Sequence, residues 1–183
     1  VFVPVGDGNI LSGIWKGFCD FHALGLIDRL PQLVAVQAKG SNAIHLALQQ
    51  GGAIPTVSGD TIADSISVSL PRDGLAAVRA IQESHGFSVE VSDEEILGAV
   101  SELARKESIF AEPAGATVLA GLKRAMAAKR IQPDETVVLL VTGSGLKDIQ
   151  SAMKIAGQPY RIDPNLNELD QLLAREKARF GGC

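Results

Sequence analysis

The chain opens on Val1-Phe2-Val3-Pro4-Val5-Gly6-Asp7-Gly8-Asn9-Ile10, and this stretch decides the fold. A short apolar, β-branched run meets a glycine-rich bend. A helical pattern follows at once, with apolar residues at Ile10, Leu11, Ile14, Trp15, Phe18 and Phe21. Exposed backbone N–H groups at a helix N-terminus carry partial positive charge, and glycines let the backbone approach an anion. A strand–loop–helix junction of this kind is how a parallel sheet builds a cradle for a phosphate. A tight turn with no ligand has the same pattern, so both readings stand on these residues alone. The loop is no Walker A motif, because no Gly-Lys-Ser/Thr follows. It is no dinucleotide fingerprint either, because Leu11 occupies the place of the third glycine.

Outward from this stretch, strand-like and helix-like patterns alternate. Leu33–Val36 reads as a buried strand, and Ser41 as the cap of a helix that runs to Gln50 and stops at Gly51-Gly52. Residues 59–70 have no clear period. Asp73–His85 reads as a helix ended by Gly86, and Phe87–Val91 alternates like a strand. Ser92-Asp93-Glu94-Glu95 is a capping box that opens a helix to about Ser108. Ile109–Ala111 reads as a short strand and Pro113 as the start of a helix to Arg130. Thr136–Val141 is the strongest buried-strand pattern in the chain. Gly143-Ser144-Gly145 breaks it, and a helix continues from Lys147.

This alternation predicts an α/β fold: an open, mostly parallel sheet with helices on both faces. Pro4 removes a ladder donor, so Val1–Val5 is expected to be short or near an edge. A cofactor-binding domain over 1–158 is expected, incomplete because the chain begins inside it. Residues 159–183 are expected to form a closing strand and an exposed helix over Asn165–Phe180.

Composition narrows the classes. With 4% aromatic residues the core must be aliphatic, and a net charge of −4 argues against nucleic-acid and anionic-membrane surfaces. No apolar run approaches the ~20 residues of a membrane helix. Cys19 and Cys183 have no metal-ligand spacing, so reduced thiols in a cytoplasmic protein are expected and no metal site is.

Three junctions look chemical: Gly6–Asn9, Glu112–Gly115 and Thr142–Gly145. In a parallel sheet all three lie at the carboxyl edge, where open α/β sheets bind ligands. Thr142 and Ser144 place hydroxyls able to bond a heterocyclic nitrogen, although Ser144 also suits a helix cap. Glu112 ahead of Pro113 suits the helix dipole without any catalytic part. His22, His45 and His85 lack a nucleophilic partner in a recognisable arrangement. Lys16 and Lys147 read as solvated.

Four blocks together carry a resemblance: Val3–Ile10 (VPVGDGNI), Thr61–Ile66 (TIADSI), Phe110–Ala116 (FAEPAGA) and Val141–Asp148 (VTGSGLKD). In order and spacing, across nearly the whole chain, they resemble the threonine synthases, members of the tryptophan-synthase-like, fold type II pyridoxal-phosphate enzymes. The resemblance implies pyridoxal 5'-phosphate as cofactor and conversion of O-phosphohomoserine and water to threonine and phosphate. It implies that Gly6, Asp7, Gly8, Asn9 and Ile10 hold the cofactor phosphate. It further implies that Thr142, with Ser144 beside it, faces the pyridine nitrogen. Glu112–Gly115 would line the ring, with Ala63–Ser65 as a neighbouring wall. A neutral hydroxyl partner does not hold the ring nitrogen protonated, which suits elimination and replacement at the β and γ carbons.

Two departures stand out. The loop is shorter than the Gly-Asn-Ala-Gly-Asn form common in threonine synthases. The family's Schiff-base lysine lies well before the phosphate loop, and no lysine here matches it, so no catalytic residue is assigned. The expectation is a C-terminal half that works with a missing N-terminal half, as a homodimer when intact. A threonine or serine dehydratase, a cysteate synthase, or a non-catalytic module on this scaffold remain open alternatives.

Overall fold

The computed structural model describes residues 1–157 and 159–180, with side chains through residue 176. The predicted α/β architecture is present. Strands β1 (Phe2–Pro4), β2 (Val34–Ala38) and β3 (Phe87–Val91) form a parallel sheet in the order β1-β2-β3. Helices are α1 (Asn9–Ala23), α2 (Ala43–Gln50), α3 (Gly74–Glu83), α4 (Asp93–Glu107), α5 (Pro113–Ala127), α6 (Ile149–Ala156) and α7 (Leu166–Phe180).

Strand alternation sends successive side chains to opposite faces, and each face meets its own helical layer. Phe2, Val34, Val36 and Ala38 pack with Ile96, Val100 and Leu103 of α4 and with Ala114, Val118 and Ala125 of α5. Val3, Val5 and Ala35 pack with Leu11 and Trp15 of α1, Ile44 of α2, and Ala77 and Ile81 of α3. The core is aliphatic, as the composition requires. Among its few aromatics, Phe2 and Phe87 meet edge to face, with ring centroids 6.4 Å apart.

Pro4 is tolerated by register. The amides of Val5 and Val34 bond Val36 and Val1 across the β1–β2 pair. Phe2 instead turns its amide and carbonyl the other way, to Val138 O and Leu140 N. Alternation puts Pro4 on that same side, so the β1–β2 ladder loses no donor.

Thr136–Val141 departs from expectation. It runs parallel beside β1, yet only Leu139 makes a bridge, to Phe2, and Val138 is 51% exposed. It is neither a regular strand nor buried. Among the described residues nothing pairs with its outer edge, and burial depends on neighbours as much as on side chains.

Ile109–Ala111 also forms no strand. Only Ala111 is bridged, antiparallel to Ser144, and Ile109 and Phe110 remain partly exposed. Ser41 does not cap α2; Asn42 takes that position, while the Ser41 hydroxyl donates to Ile66 O at 2.7 Å and accepts from Val68 N at 3.0 Å. That bond ties down the 59–70 stretch, where a 3-10 turn forms at Asp64–Ile66. The capping box at Ser92 is complete: Glu95 N donates to Ser92 Oγ, and Ser92 N to Glu95 Oε2. Residues 159–163 contain no strand, so the expected closing strand is absent, whereas the terminal helix is present as α7. Cys183 lies outside the described residues.

Candidate functional site

β1 ends at Pro4, and the chain turns through Gly6-Asp7-Gly8 into α1. Gly8 precedes the helix with φ 97°, a left-handed conformation that a side chain strains. The loop also packs tightly. A Cβ on Gly6 would stand 2.9 Å from Ile66 Cα, and one on Gly8 2.8 Å from Ala77 Cβ. Glycine is demanded at Gly8 by dihedral and at Gly6 by close approach.

No side chain caps α1. The amides of residues 6–11 donate to no acceptor among the described residues, whereas Val5 N bonds Val36 O and Ser12 N bonds Gly8 O. A helix N-terminus leaves such donors open, and here the open run continues back through the loop. It is a set of dipoles suited to an anion.

The Asp7 side chain is already engaged. Its Oδ1 accepts from Arg72 N at 3.0 Å, and its carbonyl accepts from Asp73 N at 3.0 Å. The Asp73 carboxylate in turn accepts the Ser12 hydroxyl.

The other two junctions meet one another and lie next to this loop. Glu112 N donates to Gly143 O at 3.0 Å, and Gly145 N to Phe110 O at 2.8 Å. Glu112 is only 5% exposed, and its Oε2 lies 3.2 Å from Lys147 Nζ. Lys147 is therefore not simply solvated, as its sequence context suggests. Nothing in the one-dimensional pattern marks this pair, because a whole helix lies between its members. Asp64, Ser65, Glu112, Pro113, Ala114, Lys147 and Asp148 line a cavity of about 70 Å³. The same 3-10 turn reaches Gly6 through Ile66. Contacts thus run without a break from the loop to Asp64–Ile66, to Glu112–Ala114, and on to Thr142–Gly145. Parallel pairing of Leu139 with Phe2 puts the ends of both segments at one edge of the sheet.

The two hydroxyls divide. Ser144 Oγ accepts from Leu146 N at 3.3 Å and caps the following 3-10 turn. The Thr142 hydroxyl makes no hydrogen bond among the described residues. Asp148 caps α6 through Ser151 N at 3.0 Å, and hydrogen bonding from Ser151 lowers its carboxyl pKa. His45 lies elsewhere, 2.9 Å from Ser88 Oγ, with its pKa lowered by burial against an opposing effect of Glu90. Among the described residues no cluster of His, Cys, Asp and Glu could hold a metal, and no helix is long and apolar enough to cross a membrane.

The model of the family described as "Pyridoxal-phosphate dependent enzyme" matches residues 1–143. The chain belongs to this family. The threonine synthase of Methanocaldococcus jannaschii is 41% identical over 175 residues, covering 94% of this chain and 43% of the relative. That of Mycobacterium tuberculosis is 40% identical over 164 residues, covering 88% and 44%. The chain therefore spans less than half the length of these relatives. The crystal structure of Escherichia coli threonine synthase superposes with a TM-score of 0.66 at 17% identity, over 95% of this chain and 43% of that one. The processed form of threonine deaminase isoform 2 from Solanum lycopersicum gives 0.63 at 20% identity, over 86% and 44%. These likenesses establish the fold type II scaffold. The family's cofactor is pyridoxal phosphate, and the open amides around the left-handed Gly8 are donors of the kind its phosphate requires.

Proposed function

We propose that this chain is the phosphate-binding portion of a threonine synthase, an enzyme that converts O-phosphohomoserine and water to threonine and phosphate. The run of open amides over residues 6–11 carries this reading, and identity near 40% to threonine synthases supports the choice of reaction. In this reading Gly6–Ile10 hold the cofactor phosphate through backbone N–H groups. Thr142 meets the ring nitrogen, as the resemblance implies, and Ser144, whose Oγ accepts a capping bond from Leu146 N while its O–H stays free to donate, lies beside it. Glu112 and its Lys147 partner stiffen the wall formed by Glu112–Gly115. Bound pyridoxal phosphate supplies an electron sink beside the α-carbon of an amino acid. The lysine that carries it comes from outside these 183 residues.

A chimera tests the reaction. The chain is joined to the portion of the Methanocaldococcus jannaschii relative that it does not align with, and given pyridoxal phosphate and, in separate assays, O-phosphohomoserine or threonine. Release of threonine and phosphate in equal amounts is expected. Formation of a 2-oxo acid from threonine, with no phosphate release from O-phosphohomoserine, overturns the assignment in favour of a dehydratase. The chain alone is expected to bind the cofactor loosely and to turn nothing over. Borohydride reduction that labels one lysine stoichiometrically, together with turnover, overturns that part.

A further inference from the structure

The anion loop contains an aspartate, and a second one, Asp73, touches it. Two carboxylates beside a phosphate cradle oppose its purpose unless their charges are directed elsewhere. The structure directs both. Asp7 Oδ1 accepts the Arg72 amide and Asp7 O accepts the Asp73 amide, each at 3.0 Å. Asp73 flanks the start of α3, and its carboxylate accepts the Ser12 hydroxyl from the first turn of α1. The Ser12 hydroxyl also lies 3.1 Å from Asn9 O. The loop is thereby fastened on both sides of Gly8. Asp7 anchors it before the glycine to Arg72 and Asp73, and Ser12 anchors it after the glycine to Asp73, at the entry to α3.

We propose that Asp7 and Asp73 are positioning residues for the cradle. They turn the peptide planes of residues 6–8 so that the amides stay open and the carboxylates face away from the anion. This rests on the reading of Gly6–Ile10 as the phosphate loop. Close packing on Ile66 and Ala77 confines the loop, and among the described residues Asp7 and Ser12 supply its side-chain hydrogen bonds to the entry of α3. No side chain caps α1, and Gly8 is too flexible to hold φ 97° unaided. Asp7 is held at its own residue by two bonds, one through the side chain and one through the backbone. Removing the side-chain acceptor releases the Arg72 amide and frees the loop to close its own donors.

The test uses the full chain and two probes, pyridoxal phosphate and pyridoxal, which lacks the phosphate. Binding is followed by the amide signals of Gly6 and Gly8 in ¹⁵N-labelled protein and by the ³¹P signal of the bound phosphate. Asp7→Ala is expected to weaken pyridoxal phosphate binding about tenfold, the loss of one hydrogen bond to a charged group. The ³¹P signal should broaden or move as the cradle loosens. Asp7→Asn keeps an acceptor for the Arg72 amide and should bind within about twofold of the parent. Pyridoxal should bind neither variant better than the parent. Ser12→Ala, which leaves α1 and the sheet intact, should weaken binding in the same direction by a smaller factor. If Asp7→Ala does not fold, the contrast between Asp7→Asn and Ser12→Ala carries the test.

Unchanged affinity and an unchanged ³¹P signal in Asp7→Ala and Ser12→Ala overturn the positioning role. So does loss in Asp7→Asn equal to that in Asp7→Ala, since the charge and not the acceptor would then matter. Gly8→Asp separates the two levels. If it also leaves binding unchanged, the loop is not the cradle. If it abolishes binding while Asp7→Ala does not alter it, the cradle stands and only the positioning role fails.

Discussion

β1 and residues 136–141 lie side by side, run in the same direction and have similar apolar, β-branched sequences. They end differently. Val3 and Val5 are 0% and 2% exposed, with β2 on one side, residues 136–141 on the other, and helices over both faces. Val138 is 51% exposed, and its segment has only β1 for a neighbour among the described residues. Strand propensity states what a segment tolerates. Whether it becomes a buried strand depends on what lies on both edges and both faces. The more apolar and more regular pattern, Thr136–Val141, is the less structured of the two.

Hydrogen exchange reads the difference between the two segments directly. The Val5 amide is bonded to β2 and buried, whereas those of Val137, Leu139 and Val141 point to the open side. Val5 should exchange about a thousandfold more slowly, corresponding to an opening free energy of roughly 4 kcal/mol drawn from global stability. Equal protection of the two segments would mean that the outer edge is covered in solution, for instance by self-association. A dilution series distinguishes that case.

Two substitutions probe the carboxyl ends of the same two segments. Gly8→Asp forces a side chain into a left-handed dihedral, against Ala77 and Asp73, and places a charge at the proposed phosphate loop. In the chimera, cofactor retention after dialysis should fall by about a hundredfold or more, since strain and charge act together. Thr142→Ala lies at the end of the more open segment and removes one hydroxyl that has no hydrogen-bond partner among the described residues. It should change retention by about threefold to tenfold, one neutral hydrogen bond's worth, and shift the cofactor's absorbance. A larger effect at Thr142 than at Gly8 would reverse the ranking of the two junctions.

The same contrast explains how much was legible in the sequence. Local signals were read correctly wherever local chemistry decides. The Ser92 capping box, the Pro113 helix start and the glycine bend at Gly6–Gly8 all formed as their residue types require. The parallel α/β class followed from alternation. What the sequence hid was pairing. Ala111 bridges Ser144 antiparallel, so Ile109–Ala111 joins no ladder. Ser41 left its capping position for Ile66 and Val68, partners well separated from it along the chain. The Glu112–Lys147 pair and the Asp7–Arg72 contact are likewise long-range, and no period or spacing announces them. The glycine bend proposed as the cradle was visible because it is built from consecutive residues. Its fastening was not, because Arg72 and Asp73, ahead of α3 and far along the chain, supply it.

The smallest effect expected concerns the side of the sheet that is fully layered. Glu102 of α4 lies 2.8 Å from Lys106 and 2.5 Å from Lys123 of α5, so one carboxylate joins the two helices beneath β1–β3. Hydrogen bonds from Lys106 and then Lys123 bring its pKa from 4.5 down to about 2. A carboxyl whose pKa is lower in the folded than in the unfolded chain binds fewer protons when folded. Its contribution is therefore fully present above pH 4.5 and is lost as pH falls through about 2. Both lysines are largely exposed, at 59% and 69%, so water and salt screen the pair and the contribution is small. Thermal unfolding of the parent and of Glu102→Gln should differ most near neutral pH in low salt. The difference should close between pH 4.5 and 2, and added salt should shrink it at any pH. Residues 136–141 have no such clamp among the ion pairs of the described residues, so an acid-induced loss confined to that segment, with α4 and α5 unaffected, would show that Glu102 does not join the layer.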